Sequence, residues 1–88
     1  DGTIVALDSD AEWSCIGEGP LIFPWDEELG EPQAIFSRGE DGWQLEAVSS
    51  PHGTYRVNQG ERLEEKIVLE DGDILKASHT WLFVNTRA

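Results

Sequence analysis

Apolar and polar residues alternate in short runs along most of the chain, and the runs end at glycine, proline or small polar residues. Between 43 and 48, Trp43, Leu45 and Ala47 fall on one side and Gln44, Glu46 and Val48 on the other. That is the period of a half-buried strand. Comparable short runs at 3–7, 13–17, 21–25, 33–37, 54–57, 66–69, 74–76 and 81–85 predict further strands. The punctuation falls at 17–20, 38–42, 49–53 and 70–73. The runs 33–37 and 43–48 are expected to pair as a hairpin across the 38–42 turn. Asp71-Gly72 is a second hairpin signal, because glycine takes positive φ without steric cost. Helix signals are sparse. Residues 26–29 lie between Pro24 and Pro32, which leaves room for one turn at most. Residues 61–66 are helix-friendly in composition but have no apolar face. Many short strands with regular turns predict an all-β fold, a sandwich or a barrel.

Composition narrows the function classes. At 88 residues the chain is read as one domain, 1–88, and its start at Asp1 rather than methionine leads us to expect a piece of a longer protein. Four tryptophans, three phenylalanines and one tyrosine supply large buried areas. Eighteen acidic residues face six Lys and Arg, a formal net charge of −12. Such a surface repels nucleic-acid phosphates and anionic membranes, so neither is an expected partner. No apolar run approaches the roughly 20 residues that span a bilayer, so no membrane insertion by this segment is expected. Cys15 is the only cysteine. It excludes an internal disulfide, suits a reducing, cytoplasmic setting, and reads as a core thiol in a buried strand.

Candidate chemistry is thin. His52 and His79 lack the companions a metal site needs. Asp26-Glu27-Glu28 lacks the oxygen spacing and central glycine of a calcium loop and reads as a solvated loop. Ser49-Ser50 has no base beside it in the sequence, so catalysis is not expected, nor is any cofactor. Trp25, ahead of that acidic segment, reads as a core or sandwich-edge residue, with an exposed partner anchor as the alternative.

The order of elements after residue 42 resembles the C-terminal half of a forkhead-associated (FHA) domain, a phosphothreonine-reading β-sandwich. Gly53-Thr54-Tyr55 is similar to that family's Gly-Thr-aromatic element, and Val57-Asn58 to its Val-Asn, after one extra residue, Arg56. Leu69-Glu70-Asp71-Gly72-Asp73-Ile74 is similar to its Leu-x-x-Gly-Asp-x element, and Trp81-Leu82-Phe83 to its closing strand. The resemblance implies a sandwich of two antiparallel sheets, with a ligand end formed by the loops at 18–19, 30–33 and 49–52.

At that end the family's phosphate-gripping residues are replaced. The arginine that follows the glycine of the early strand becomes Glu18, after Gly17. A carboxylate there opposes phosphate by about 1 kcal/mol or more. Aligning on Ala34 puts Gly30 at the phosphate-binding serine and Gln33 at the loop-bracing histidine. The peptide-holding asparagine falls at His52. Arg56 is the one basic residue the resemblance brings near the site. Carried over by resemblance, the candidate partner-binding residues are Glu18, Gly30, Gln33, Ser49, Ser50, His52, Gly53, Thr54, Arg56 and Asn58. The expected function is a non-enzymatic, phospho-independent protein–protein interaction module with a protein or peptide partner, a basic one suiting the acidic surface. Two alternatives stand beside it. One is a working phosphothreonine reader using Arg56, His52 and backbone N–H groups. The other is a structural or oligomerising domain, as in the cytoplasmic parts of secretion-system membrane proteins.

Overall fold

A computed structural model describes residue 7, residues 9–48 and residues 53–85. Among these residues there are eight strands and no α-helix. The strands are β1 Ala11–Trp13, β2 Ala34–Gly39, β3 Gly42–Ala47, β4 Thr54–Arg56, β5 Glu61–Leu63, β6 Lys66–Val68, β7 Ile74–Ala77 and β8 Thr80–Phe83, with one 3-10 turn at Val57–Gln59. They form two antiparallel sheets of four strands, ordered β1-β2-β3-β6 and β5-β4-β7-β8.

The period-two pattern decides what each sheet buries. Ala34 and Phe36 of β2 and Leu45 of β3 point inward from the first sheet, and Leu63, Leu75 and Ala77 from the second. Trp13, Leu21, Leu29 and Leu69 join them in one apolar cluster. Leu45 and Leu75 are wholly enclosed, and each such side chain contributes about 1.5–3 kcal/mol by leaving water. Trp13 packs tilted against Phe36, ring centroids 6.3 Å apart. The β2–β3 hairpin is the one expected, in register from Ala34 opposite Ala47 to Gly39 opposite Gly42.

Four expectations are corrected, and one strand that the pattern did not predict is added. Residues 21–25 are not a strand. Leu21 and Phe23 pair only with the single residue Ser14 of the early segment, through Ser14 N–H to Leu21 O and Phe23 N–H to Ser14 O, while Phe23 O accepts the Asp26 N–H in a turn, and Pro20 and Pro24 offer no N–H to extend the pairing. The early strand ends at Trp13 instead of running to residue 17. The Ser14 hydroxyl accepts the Ile16 N–H at 3.1 Å and turns the backbone out of the sheet. Cys15 therefore lies half-buried in a bend, its Sγ 3.7 Å from the Leu29 carbonyl oxygen. Residues 61–63 form β5 despite their helix-friendly composition, because pairing with β4 satisfies their backbone. The Asp71-Gly72 turn is tight, with Asp73 N–H donating to Glu70 O at 3.1 Å, yet it is no hairpin. The strand before it, β6, pairs with β3, and the strand after it, β7, pairs with β4 and β8, so the turn carries the chain from one sheet to the other. The expected strand at 3–7 falls, except for Leu7, outside the described residues.

Candidate functional site

The two ends of β7 carry different buried polar clusters, and the fold separates the candidate residues between them. At the end beyond Ala77 lie the connections 14–33, 53–54 and 78–79. Gln33 is the first hub there. It directly precedes β2, is 1% exposed, and its N–H donates to Trp13 O at 2.7 Å. Its Oε1 accepts the Gly30 N–H at 2.7 Å, and its Nε2 donates to Gly53 O at 3.1 Å and Thr54 Oγ1 at 2.7 Å. One amide thus holds the 30–33 loop against the start of β4. Gly30 fits this arrangement because a β-carbon there would meet Pro32 O at 3.0 Å and Gln33 Oε1 at 3.3 Å. The Glu31–Pro32 peptide within the loop is cis.

Asp26 is the second hub. Its carboxylate, 1% exposed, accepts Ser78 Oγ at 2.7 Å, the His79 N–H at 2.9 Å and Thr80 Oγ1 at 2.7 Å. Burial pushes this carboxyl up, but the hydrogen bonds from Thr80, Ser78 and the His79 amide outweigh it and hold it below its ordinary value. The bonds also steady Ser78, a non-glycine residue at φ 55° in the β7–β8 turn. This corrects the reading of Asp26 as part of a solvated loop. No pattern in the sequence sets it apart from Glu27 and Glu28, which are exposed.

Arg56 and Asn58 belong to the opposite end of β7. The Arg56 guanidinium pairs with Glu61 and, at 3.3 Å, with Asp73 Oδ2. Asn58 donates to Asp73 Oδ1 at 3.0 Å and accepts the Ile74 N–H at 2.9 Å. Asp73 also accepts the Glu70 N–H at 2.8 Å, which ties the turn. Burial pushes the Asp73 carboxyl up, yet the Glu70 N–H, Asn58 and Arg56 together hold it below its ordinary value. Burial likewise depresses the Arg56 guanidinium, and its two carboxylates more than reverse that.

A different cation stands by the loop end. The Arg62 guanidinium lies against Gly53, where φ is 73° and a β-carbon would meet Arg62 Nε at 2.9 Å. Gly53, Thr54, Arg62 and Glu64 line a shallow recess of about 140 Å³. Sequence reasoning missed Arg62, whose only signal is cross-strand register: β5 places it opposite Tyr55. Glu18 is exposed, outside the Gln33 cluster, and Ser49, Ser50 and His52 lie outside the described residues.

The outer surface of this end is acidic and apolar. Glu18, Glu27, Glu28 and Glu31 are exposed. Trp25 is 65% exposed, its ring 6.1 Å from that of Phe23, and Ile16 is 59% exposed. Trp25 is therefore not a core residue. Among the described residues no three of His, Cys, Asp and Glu are grouped to hold a metal ion, and no helix is long and apolar enough to cross a membrane. No protein-family model, curated protein or solved structure matches the chain.

Proposed function

We propose that the chain is an FHA-like module that binds a partner protein at its loop end without reading phosphothreonine. The observation that carries this is the pairing of a braced loop end with an acidic, apolar surface. Gln33 does mechanically what a bracing histidine does in the family, accepting from one loop and donating to the other. Gly30 has no hydroxyl to offer a phosphate, and the space its β-carbon would occupy adjoins the Gln33 carboxamide. Arg56 is committed to Glu61 and Asp73. Four exposed glutamates accompany Trp25 and Ile16 on this surface, one of them, Glu28, 3.4 Å from the exposed His79 ring. Such a surface suits a basic partner with apolar anchors, because charge opposition orients the encounter and buried aromatics hold it. In this reading the module is non-enzymatic.

A second reading has one observation in its favour. Arg62 lies against Gly53 and makes no ion pair with a described carboxylate, so a phosphate could be held there instead of at Arg56.

The test is a titration with an unphosphorylated arginine-rich peptide containing leucine, followed by amide and indole NMR signals. Shifts at Gly30, Gln33 and the Trp25 indole are expected, with weaker binding after Glu18→Arg. Stronger binding by Glu18→Arg would overturn the charge reading.

A further inference from the structure

The outward face of the second sheet has the opposite character from the loop end. Register aligns Arg62 of β5 with Tyr55 of β4, Tyr55 with Lys76 of β7, and Lys76 with Trp81 of β8. The result is one row across all four strands, alternating cation and aromatic ring. The Arg62 guanidinium carbon lies 5.9 Å from the Tyr55 ring centroid and Lys76 Nζ lies 5.7 Å from that of Trp81. Beside the row, Phe83 faces Ile74. Phe83 is 74% exposed, Trp81 50% and Tyr55 37%. Monomeric surfaces seldom leave such aromatics grouped without a partner.

Charge selects the partner. The chain has three acidic residues for every basic one, yet the outward positions of these strands, Tyr55, Arg62, Ile74, Lys76, Trp81 and Phe83, include no carboxylate. Among the described residues no carboxylate forms an ion pair with Arg62 or Lys76. Lys76 Nζ donates instead to the Ser78 carbonyl at 3.0 Å. Both cations are held over rings by packing, with hydrogen-bonding capacity left for an incoming acceptor.

We infer that this face docks a short acidic segment of a partner protein, one that interleaves carboxylates with aromatic or aliphatic side chains. The carboxylates meet Arg62 and Lys76, and the apolar side chains pack on Trp81, Phe83 and Tyr55. A basic segment would put like charges together in a desolvated contact. A second copy of the chain brings a net charge of −12 against an equal charge, a far larger repulsion than a few carboxylates create. A nucleic-acid strand, which aromatic–cation rows elsewhere can stack, meets the same repulsion. The inference does not rest on the proposed loop-end surface, whose glutamates, Trp25 and Ile16 are separate residues; Arg62, against Gly53 and over Tyr55, is the one residue that borders both ends.

The experiment is a two-dimensional NMR titration of the whole chain with a capped peptide alternating glutamate and phenylalanine. A lysine–phenylalanine peptide and an oligothymidylate are the comparisons. Saturable shifts at Tyr55, Arg62, Lys76, Trp81 and Phe83 with the glutamate peptide alone are expected. Lys76→Glu and Trp81→Ala, both at outward positions, are each expected to weaken binding about tenfold or more. Arg62→Gln is the milder companion should Lys76→Glu disturb the spectrum. Equal or tighter binding of the lysine peptide or the oligonucleotide would overturn the inference. So would no shifts with any probe, or shifts at this face that grow with protein concentration alone. Shifts confined to residues 25–33 would also sink it, and would bear on the loop end instead.

Discussion

Replacing Gln33 tests the brace that organises the loop end. Gln33→Ala removes three side-chain hydrogen bonds to described residues, to Gly30 N–H, Gly53 O and Thr54 Oγ1. Each is worth about 1 kcal/mol net. Thr54, at 1% exposure, has no easy route to water in compensation. The expected loss is about 3 kcal/mol, a large share of the roughly 9 kcal/mol typical of an 88-residue domain. For a domain of this size that lowers Tm by roughly 10–25 °C. Urea and thermal unfolding, followed by tryptophan fluorescence, read it directly. Gln33→Glu sharpens the result. It keeps an acceptor for the Gly30 N–H but sets a carboxylate oxygen against Gly53 O. It is expected to be destabilised at pH 7 and to recover partly near pH 4, as the carboxyl takes a proton and regains a donor (roughly its ordinary range). A loss below about 0.5 kcal/mol for Gln33→Ala, the level of a surface change, would refute the brace.

Arg56→Met leaves Asp73, 2% exposed, without its cation. A loss of about 3 kcal/mol by urea denaturation is expected, partly recovered by adding Asp73→Asn; a loss near zero would mean that the Glu70 and Asn58 bonds suffice. The Asp26 and Asp73 carboxyls are both held below their ordinary value when folded, by the hydrogen bonds each accepts. A depressed carboxyl adds stability that is full well above the unfolded value and is lost as pH falls through the folded one. The acid limb of Tm against pH, below about pH 4, should therefore be shallower in Asp26→Asn than in the parent, and an unchanged limb would contradict the Asp26 assignment. Gly53→Ala should cost about 1 kcal/mol or more for its left-handed backbone, and should shift the Arg62 and Tyr55 signals as the guanidinium is pushed away.

The strands legible in the sequence were those whose alternation matched their burial. The β2–β3 hairpin is the plainest case, with Leu45 inward and Glu46 outward between two glycine-bearing turns. β5 was hidden because three residues carry too little pattern and because its pairing to β4 is decided by tertiary contact. The run 21–25 misled for the converse reason. Its apolar residues divide between the core (Leu21) and solvent (Trp25), and Pro24 interrupts its backbone just after Pro20 precedes it. At the site, Gln33 was legible only as an amide able to accept and donate at once, which is how it holds Gly30, Gly53 and Thr54. Asp26 was illegible because its three partners are more than fifty residues away in sequence. Arg62 was illegible because only register across β4 and β5 brings it to Gly53.

The central claim is that the loop end binds protein without reading phosphate. The most direct measurement is a two-dimensional amide NMR titration with a degenerate phosphothreonine peptide library and its unphosphorylated twin. The account predicts no phosphate-dependent shifts at 30–33 or at Gly53, with any shifts equal for the two libraries. Shifts at Gly30, Gln33, Gly53 and Arg62 that appear only with the phosphorylated library, and that fade as salt is raised, would contradict it and make Arg62 the phosphate-binding cation.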